Sequence, residues 1–187
     1  MMDQEISSIN FKIISLNVRG LNNTIKRRKI FMWFHRQTAH CYCLQETVST
    51  EQSINTWRSE WGGNIYSHRS NHSKGVMILV NPRYQLDVIR GTKDKNGRSI
   101  ILEIKLDNRN RVLANVYAPN DIPQQIKFYQ NSNQTLRGFS DSNLIIGGDF
   151  NCALTPKDRK SVKRGSNKHT VINEIGNLCS NFALTDI

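Results

Sequence analysis

An α/β fold with mixed rather than purely parallel sheets is predicted by three features of the sequence. Short apolar runs of strand length alternate with helical segments, beginning with a strand, helix, strand unit near the N-terminus. Turn-like linkers between the middle strands imply hairpins, which join antiparallel neighbours. Several strands end in polar residues, and strand ends gathered on one edge are where α/β folds build their sites. One domain is the natural unit for 187 residues, long enough for a sizeable core.

Phe11 to Leu16 reads as the first core strand and runs into Asn17-Val18-Arg19-Gly20. Asn22, Asn23 or Thr24 can cap a helix through Lys26 to Arg36, with Ile30, Trp33 and Phe34 inward and Lys26 and Lys29 opposite. Ala39 to Leu44 is a second strand, followed at once by Gln45-Glu46-Thr47. A helix from about Glu51 to Trp61 places Ile54, Trp57 and Trp61 on one stripe, as core rather than as a stacking platform, and Gly62-Gly63 ends it. Ile65 to Arg69 reads as an edge strand. Val76 to Val80 is an apolar strand approached through Lys74-Gly75 and broken by Pro82.

Leu86 to Ile89, Ser99 to Leu106 and Arg111 to Tyr117 follow as three more strands. Ile100, Leu102, Ile104 and Leu106 alternate with exposed-type residues, the pattern of a sheet with one buried face. Lys93 to Gly97 and Asp107 to Asn110 are the turn-like linkers. A helix from about Pro123 to Arg137 turns Phe128 and Leu136 inward, with Tyr129 as a further candidate. Leu144 to Ile146 has the composition of a buried strand. Gly147 and Gly148 follow it, then Asp149 and Asn151, which would point the same way on an extended segment. The last helix, about Thr170 to Asn181, packs Ile172, Ile175, Leu178 and Cys179. Phe182, Leu184 and Ile187 begin another apolar segment.

The composition narrows the function classes. Lys and Arg number 26 against 15 Asp and Glu, a net charge of +11 that favours polyanionic partners, nucleic acid before an acidic membrane surface. No apolar run reaches membrane-spanning length, and Met1 to Asn10 lacks the pattern of a signal peptide. Cys41 and Cys43 would share one strand face, a poor geometry for mutual bridging, so Cys41, Cys43, Cys152 and Cys179 fit a reducing compartment. His35, His40, His68, His72 and His169 show no zinc spacing and read as surface residues, with His72 beside Lys74 as a candidate substrate contact.

Asn17, Glu46, Tyr117 and the pair Asp149 and Asn151 all stand at strand ends. Any one of them reads as a cap, a turn residue or a core aromatic. Together they point to a phosphate site with a hard, oxygen-liganded metal such as magnesium or manganese.

The motifs Ile14-Ser15-Leu16-Asn17-Val18-Arg19-Gly20, Leu44-Gln45-Glu46-Thr47 and Lys74-Gly75-Val76 stand in that order. Asn115-Val116-Tyr117-Ala118-Pro119-Asn120, Gly148-Asp149-Phe150-Asn151 and Leu184-Thr185-Asp186-Ile187 follow. In order and spread they resemble the endonuclease/exonuclease/phosphatase family, above all the apurinic-type endonuclease domain of non-LTR (LINE-like) retrotransposons. The resemblance implies a four-layer α/β sandwich, two mixed sheets face to face with helices outside. It makes Glu46 the main metal-binding carboxylate and Asn17 its neighbour, with Mg2+, or Mn2+, as the ion. It places Tyr117 beside the scissile phosphate, has Asp149 activate or orient the attacking water, and has Asn151 hold the phosphate. The implied substrate is DNA, nicked to leave a 3′ hydroxyl that primes reverse transcription. Arg19 would contact that DNA. Lys157, Arg159, Lys160, Lys163, Arg164 and Lys168 read equally as a phosphate-holding stretch and as a solvated loop.

The resemblance also sets a departure. Family members continue past Leu184 with a strand pair bearing a Ser-Arg-Ile-Asp-type motif, and finish in a Ser-x-His-type ending that supplies a second Asp and a catalytic His. Neither is found here. The sequence therefore leads to the expectation of a domain over residues 1–187 that is incomplete at its C-terminus, lacks its last strands and has weak or no activity. A catalytically dead, basic nucleic-acid-binding remnant is the alternative. A small-molecule or lipid phosphoesterase is a further one, opposed by Asn17 to Gly20 and the charge. The expected state is a monomer or a domain of a larger retroelement polyprotein, away from membranes, nuclear if functional and otherwise cytoplasmic.

Overall fold

The computed structural model describes residues 10–71, 73–84, 86–106, 108–139, 143–154 and 168–186. In chain order the elements are β1 (Ile13–Asn17), α1 (Thr24–Arg36), β2 (Cys41–Gln45), α2 (Glu51–Trp61), β3 (Ile65–Ser70) and β4 (Ser73–Val80). The second half holds β5 (Asp87–Lys93), β6 (Ser99–Leu106), β7 (Arg109–Tyr117), α3 (Ile122–Leu136), β8 (Asn143–Asp149) and α4 (Lys168–Asn181). A 3₁₀ turn, Arg137–Phe139, extends α3.

The strands form two four-stranded sheets, ordered β1-β2-β4-β3 and β5-β6-β7-β8. Each sheet is mixed, with one parallel pair: β1 with β2, and β7 with β8. Parallel neighbours need a crossover, and α1 and α3 supply the two. β1 and β8 lie against each other across the two sheets. The C-terminal ends of all four parallel strands therefore open at one end of the molecule.

Pleat alternation sorts the side chains into layers. Cys41, Cys43, Val76 and Ile78 meet Ile100, Leu102, Ile104 and Leu113 between the sheets. Tyr42, Leu44, Met77 and Leu79 face outward onto Phe31, Phe34, Trp57 and Trp61 of α1 and α2. Across the molecule, Ile101, Val112 and Ala114 pack on Leu136, Phe139 and Leu178, and Val116 on Phe128, Tyr129, Val171 and Ile175. The result is a helix, sheet, sheet, helix sandwich.

Local chemistry starts and stops the helices. Asn23 caps α1 by accepting from Lys26 N at 2.9 Å. Thr50 and Ser53 form a reciprocal capping box on α2, and Gly62 ends that helix in the left-handed conformation at φ 75°. Asp121 caps α3, with a proline in its first turn.

Three expectations need correction. The buried stripe of α1 runs through Arg27, Phe31 and Phe34, which swings Trp33 out to 46% exposure. Arg27 tolerates burial because its guanidinium donates to both oxygens of Glu60, at 2.8 and 2.9 Å, and to the Leu21 carbonyl. β8 is half-buried rather than buried, because among the described residues it pairs on one side only, with β7. In α4 the buried positions are Val171, Ile175 and Leu178; Ile172 is only half-buried. Phe182 packs against the core without forming a strand, and Ile187 lies outside the described residues, as does His72.

All four cysteines are free thiols. Burial pushes Cys41 up to about 12 and Cys43 well above the usual range, so both behave as inert core residues.

Candidate active site

Asn17, Glu46, Tyr117 and Asp149 meet where the parallel strands end. Asn17 closes β1 and its amide reaches both carboxylates: Nδ2 donates to Asp149 Oδ2 at 2.8 Å and to Glu46 Oε1 at 3.2 Å. The Tyr117 hydroxyl, at the end of β7, donates to the same Glu46 oxygen at 3.1 Å. Lys74 Nζ donates to the other, Oε2, at 2.7 Å. Three residues from the first sheet and the loop after β2, Asn17, Glu46 and Lys74, thus share one hydrogen-bonded cluster with two from the second, Tyr117 and Asp149.

The backbone beneath the cluster is strained and held. Arg19, Glu46, Val48 and Asn151 have φ of 47°, 56°, 52° and 48°, a region that L-residues seldom occupy, least of all a β-branched one. Gly20 N donates to the Glu46 carbonyl, Leu21 N to Thr47 and Val48 N to Lys74, so the loops after β1 and β2 and the start of β4 are laced together. Gly75, at φ 88°, is needed in this lacing: a Cβ there would lie 2.9 Å from the His68 carbonyl.

Below the cluster a buried amide pair joins the two sheets. Gln45 Nε2 donates to Asn115 Oδ1 at 2.8 Å, and Asn115 Nδ2 donates to the carbonyls of Met77 at 2.8 Å and Leu44 at 3.0 Å. Gln45 directly precedes Glu46, and Asn115 stands two residues before Tyr117, so the pair sets the spacing of the cluster above it. At the rim, the Arg98 guanidinium lies 5.4 Å over the Tyr117 ring and donates to the Tyr117 carbonyl.

The protonation states follow from these contacts. Burial pulls the Glu46 pKa upward, but the hydrogen bonds from Lys74, Asn17 and Tyr117, with the Lys74 charge, outweigh it and hold the carboxyl below its ordinary value. Burial first, and then the Glu46 charge, raises Tyr117, which stays a neutral phenol at physiological pH.

Asn151 is placed differently from the sequence expectation. The strand ends at Asp149, and Asn151 turns left-handed, so the alternation rule no longer orients it. Its amide donates to the Ala118 carbonyl at 2.6 Å, and its backbone N–H donates to Asp149 Oδ1 at 3.1 Å. It borders the cluster and fixes Asp149 through the backbone. Arg19 is exposed beside Asn17, donating its N–H to Asn17 Oδ1. Lys157, Arg159, Lys160, Lys163 and Arg164 lie outside the described residues, as does the side chain of Lys168.

Sequence reasoning missed Lys74, Arg98, Gln45 and Asn115 as members of the site. For Gln45 and Asn115 the signal was present: polar amides inside otherwise apolar strand runs demand buried partners.

No group of three or more His, Cys, Asp or Glu gathers among the described residues. The oxygen ligands on offer are the two carboxylates, Glu46 and Asp149; the Asn17 amide turns its NH2 toward them and its oxygen toward the Arg19 N–H. That set fits magnesium, which keeps several waters and takes one or two carboxylates, and does not fit zinc. The lysine ammonium at Glu46 Oε2 shows that a cation is accommodated there.

A two-sheet sandwich with carboxylates, an amide and a tyrosine at its strand ends defines the class, and sequence comparison places the chain within it. It belongs to the Endonuclease/Exonuclease/phosphatase family, matched over residues 14–183. It is 30% identical over 177 residues to the Transposon TX1 uncharacterized 149 kDa protein of Xenopus laevis, covering 94% of this chain and 13% of that protein. The fold is similar to that of an AP endonuclease from Leishmania major, with a TM-score of 0.72 at 16% identity over 92% of this chain and 66% of the other. It is also similar to the endonuclease domain of TRAS1, a telomere-specific non-LTR retrotransposon, with a TM-score of 0.67 at 16% identity over 90% and 72%. No helix among the described residues is long and apolar enough to cross a membrane.

Proposed function

We propose that this chain is a divalent-metal-dependent DNA endonuclease domain of a retroelement, hydrolysing a phosphodiester bond to leave a 3′ hydroxyl. The observation that carries the proposal is the Asn17 amide bridging Glu46 and Asp149 from opposite sheets at 3.2 and 2.8 Å. The net charge of +11 and the likeness to a transposon protein support DNA as the substrate and a larger retroelement protein as the context.

Glu46, with Asn17 beside it, would hold magnesium or manganese, which when bound would supply Lewis-acid polarisation of a phosphoryl oxygen. Asp149 takes the proton of the attacking water; Asn17 and the Asn151 N–H fix its two oxygens so that the carboxylate faces the reacting phosphate. Tyr117, kept as a phenol, would turn its single hydroxyl proton from Glu46 Oε1, to which it donates in the free site, toward charge that develops on phosphate oxygens. As the water oxygen bonds to phosphorus, the P–O bond to the 3′ oxygen breaks, and that oxygen leaves as an alkoxide that takes a proton from solvent to become the 3′ hydroxyl. Arg19 and Arg98 would line the path of the DNA backbone, and the charge of Lys157, Arg159, Lys160, Lys163, Arg164 and Lys168 would add to phosphate attraction.

The test is magnesium-dependent nicking of supercoiled plasmid by the chain and by Glu46→Gln and Asp149→Asn. Each substitution is expected to lower the rate by roughly a thousandfold with the fold intact. Nicking that survives both changes overturns the proposal. One observation favours a second reading, DNA binding without turnover: among the described residues no histidine or third carboxylate joins Glu46 and Asp149. Retained plasmid binding with no nicking in any version selects it.

A further inference from the structure

The ion pair at the centre of the cluster is the feature that the proposed chemistry leaves unused. Glu46 Oε1 already accepts from Asn17 and Tyr117, whereas Oε2 accepts only from Lys74, among the hydrogen bonds of the described residues. The face on which Glu46 could take a further cation is therefore the face that Lys74 covers. Glu46 is held tightly, 15% exposed and on a laced backbone, while the Lys74 side chain is 61% exposed. One partner is fixed and the other is a flexible chain with an ammonium tip.

We propose that Lys74 competes with a divalent cation for Glu46 Oε2 and, once displaced, contacts a phosphate of the nucleic acid. This rests on the reading of Glu46 as a metal-binding carboxylate. Exposed ion pairs contribute little net stability, so Lys74 is released from Glu46 at small cost. Its backbone is anchored at the strand start by the Val48 N–H and by Gly75, so the freed ammonium stays at the mouth of the site, where Tyr117 shares Glu46 with it. Phosphate is the anion that a site of this kind brings to that mouth, and a lysine point charge serves it well.

The competition gives Lys74 a signature that an ordinary surface cation lacks. Manganese binding to the full chain without DNA, followed by the paramagnetic resonance signal of free Mn2+, is compared for wild type, Lys74→Met, Lys74→Arg and Glu46→Gln. Binding of a phosphorothioate duplex oligonucleotide is measured by fluorescence anisotropy with and without Mn2+. Lys74→Met is expected to bind Mn2+ about fivefold tighter, the size of one exposed ion pair removed. With Mn2+ present it is expected to bind the duplex several-fold weaker, and without Mn2+ to match wild type; Lys74→Arg restores the duplex affinity. Unchanged Mn2+ affinity in Lys74→Met, with binding weakened in Glu46→Gln, overturns the competition and leaves Glu46 as a metal ligand. Equal loss of duplex affinity with and without Mn2+ overturns the coupling. Absence of Mn2+ binding in every version overturns the metal site and this inference together.

Discussion

Gly148 shows how closely single residues are specified beside the site. It sits one residue before Asp149 at φ 148°, and a Cβ there would fall 2.0 Å from the Val116 carbonyl. The neighbour is backbone in the paired strand β7 and cannot move aside without breaking the register that aligns Tyr117 with Asp149. Gly148→Ala is expected to cost about 3 kcal/mol or more, read as a lower urea midpoint. Strain at Glu46 and Val48 works in the opposite sense. It is carried by the lacing hydrogen bonds, and it aims the carboxylate at Asn17 rather than along the strand. The turn residues Gly, Asp and Asn after a strand were visible in the sequence; the left-handed turn at Asn151 was not, because its amide bonds the Ala118 carbonyl, offered just past the end of β7.

Among the elements, α1 and α2 are fastened by charge as well as by their aromatic core. Arg27 is almost fully buried, and Glu60 supplies both oxygens of a bidentate pair. The hydrogen bonds from Arg27 hold the Glu60 carboxyl below its ordinary 4.5, outweighing the upward pull of burial. A carboxyl lowered by folding stabilises the folded state above 4.5, and the contribution disappears as pH falls through the lower folded value. Thermal melts are therefore expected to show a steeper loss of stability below about pH 4.5 in wild type than in Glu60→Gln. At neutral pH Glu60→Gln leaves a buried guanidinium without its counter-charge, at a cost of about 3 kcal/mol in urea unfolding. The pattern of α1 predicted a helix correctly and misassigned Trp33, since hydropathy alone ranks a tryptophan above an arginine for burial. A bidentate partner from the next helix reverses that ranking.

For the whole molecule, the decisive joint is the amide pair Gln45 and Asn115, which ties the sheets together directly under the cluster. Asn115→Leu takes the Asn115 donor from the buried Leu44 and Met77 carbonyls, while the Gln45 amide keeps Ser15 Oγ and the Cys43 carbonyl, so a loss of about 2 kcal/mol is expected, measured by urea unfolding. Because the joint also sets the sheet spacing, the same variant is expected to bind Mn2+ more weakly than wild type even under strongly native conditions. The net charge acts at this scale too. Duplex affinity should fall steeply with salt, as counterion release requires, and a salt-independent affinity would remove DNA from the proposed function.

The sequence by itself determined the elements and the residues that could carry chemistry. Strand and helix periods, caps and turn residues are local, and each strand-end polar residue announces itself within a few positions. Tertiary structure alone decided which of those residues meet. Asn17 and Asp149 are 132 positions apart, and their bond exists because two sheets pack so that both parallel pairs open at one end. The Gln45 clasp on Asn115 arises in the same way, between the sheets. The Lys74 and Glu46 pair and the Arg98 contact with Tyr117 join neighbouring strands within one sheet and depend on strand pairing and register. Neither layer distance nor register is encoded in a local pattern of side chains.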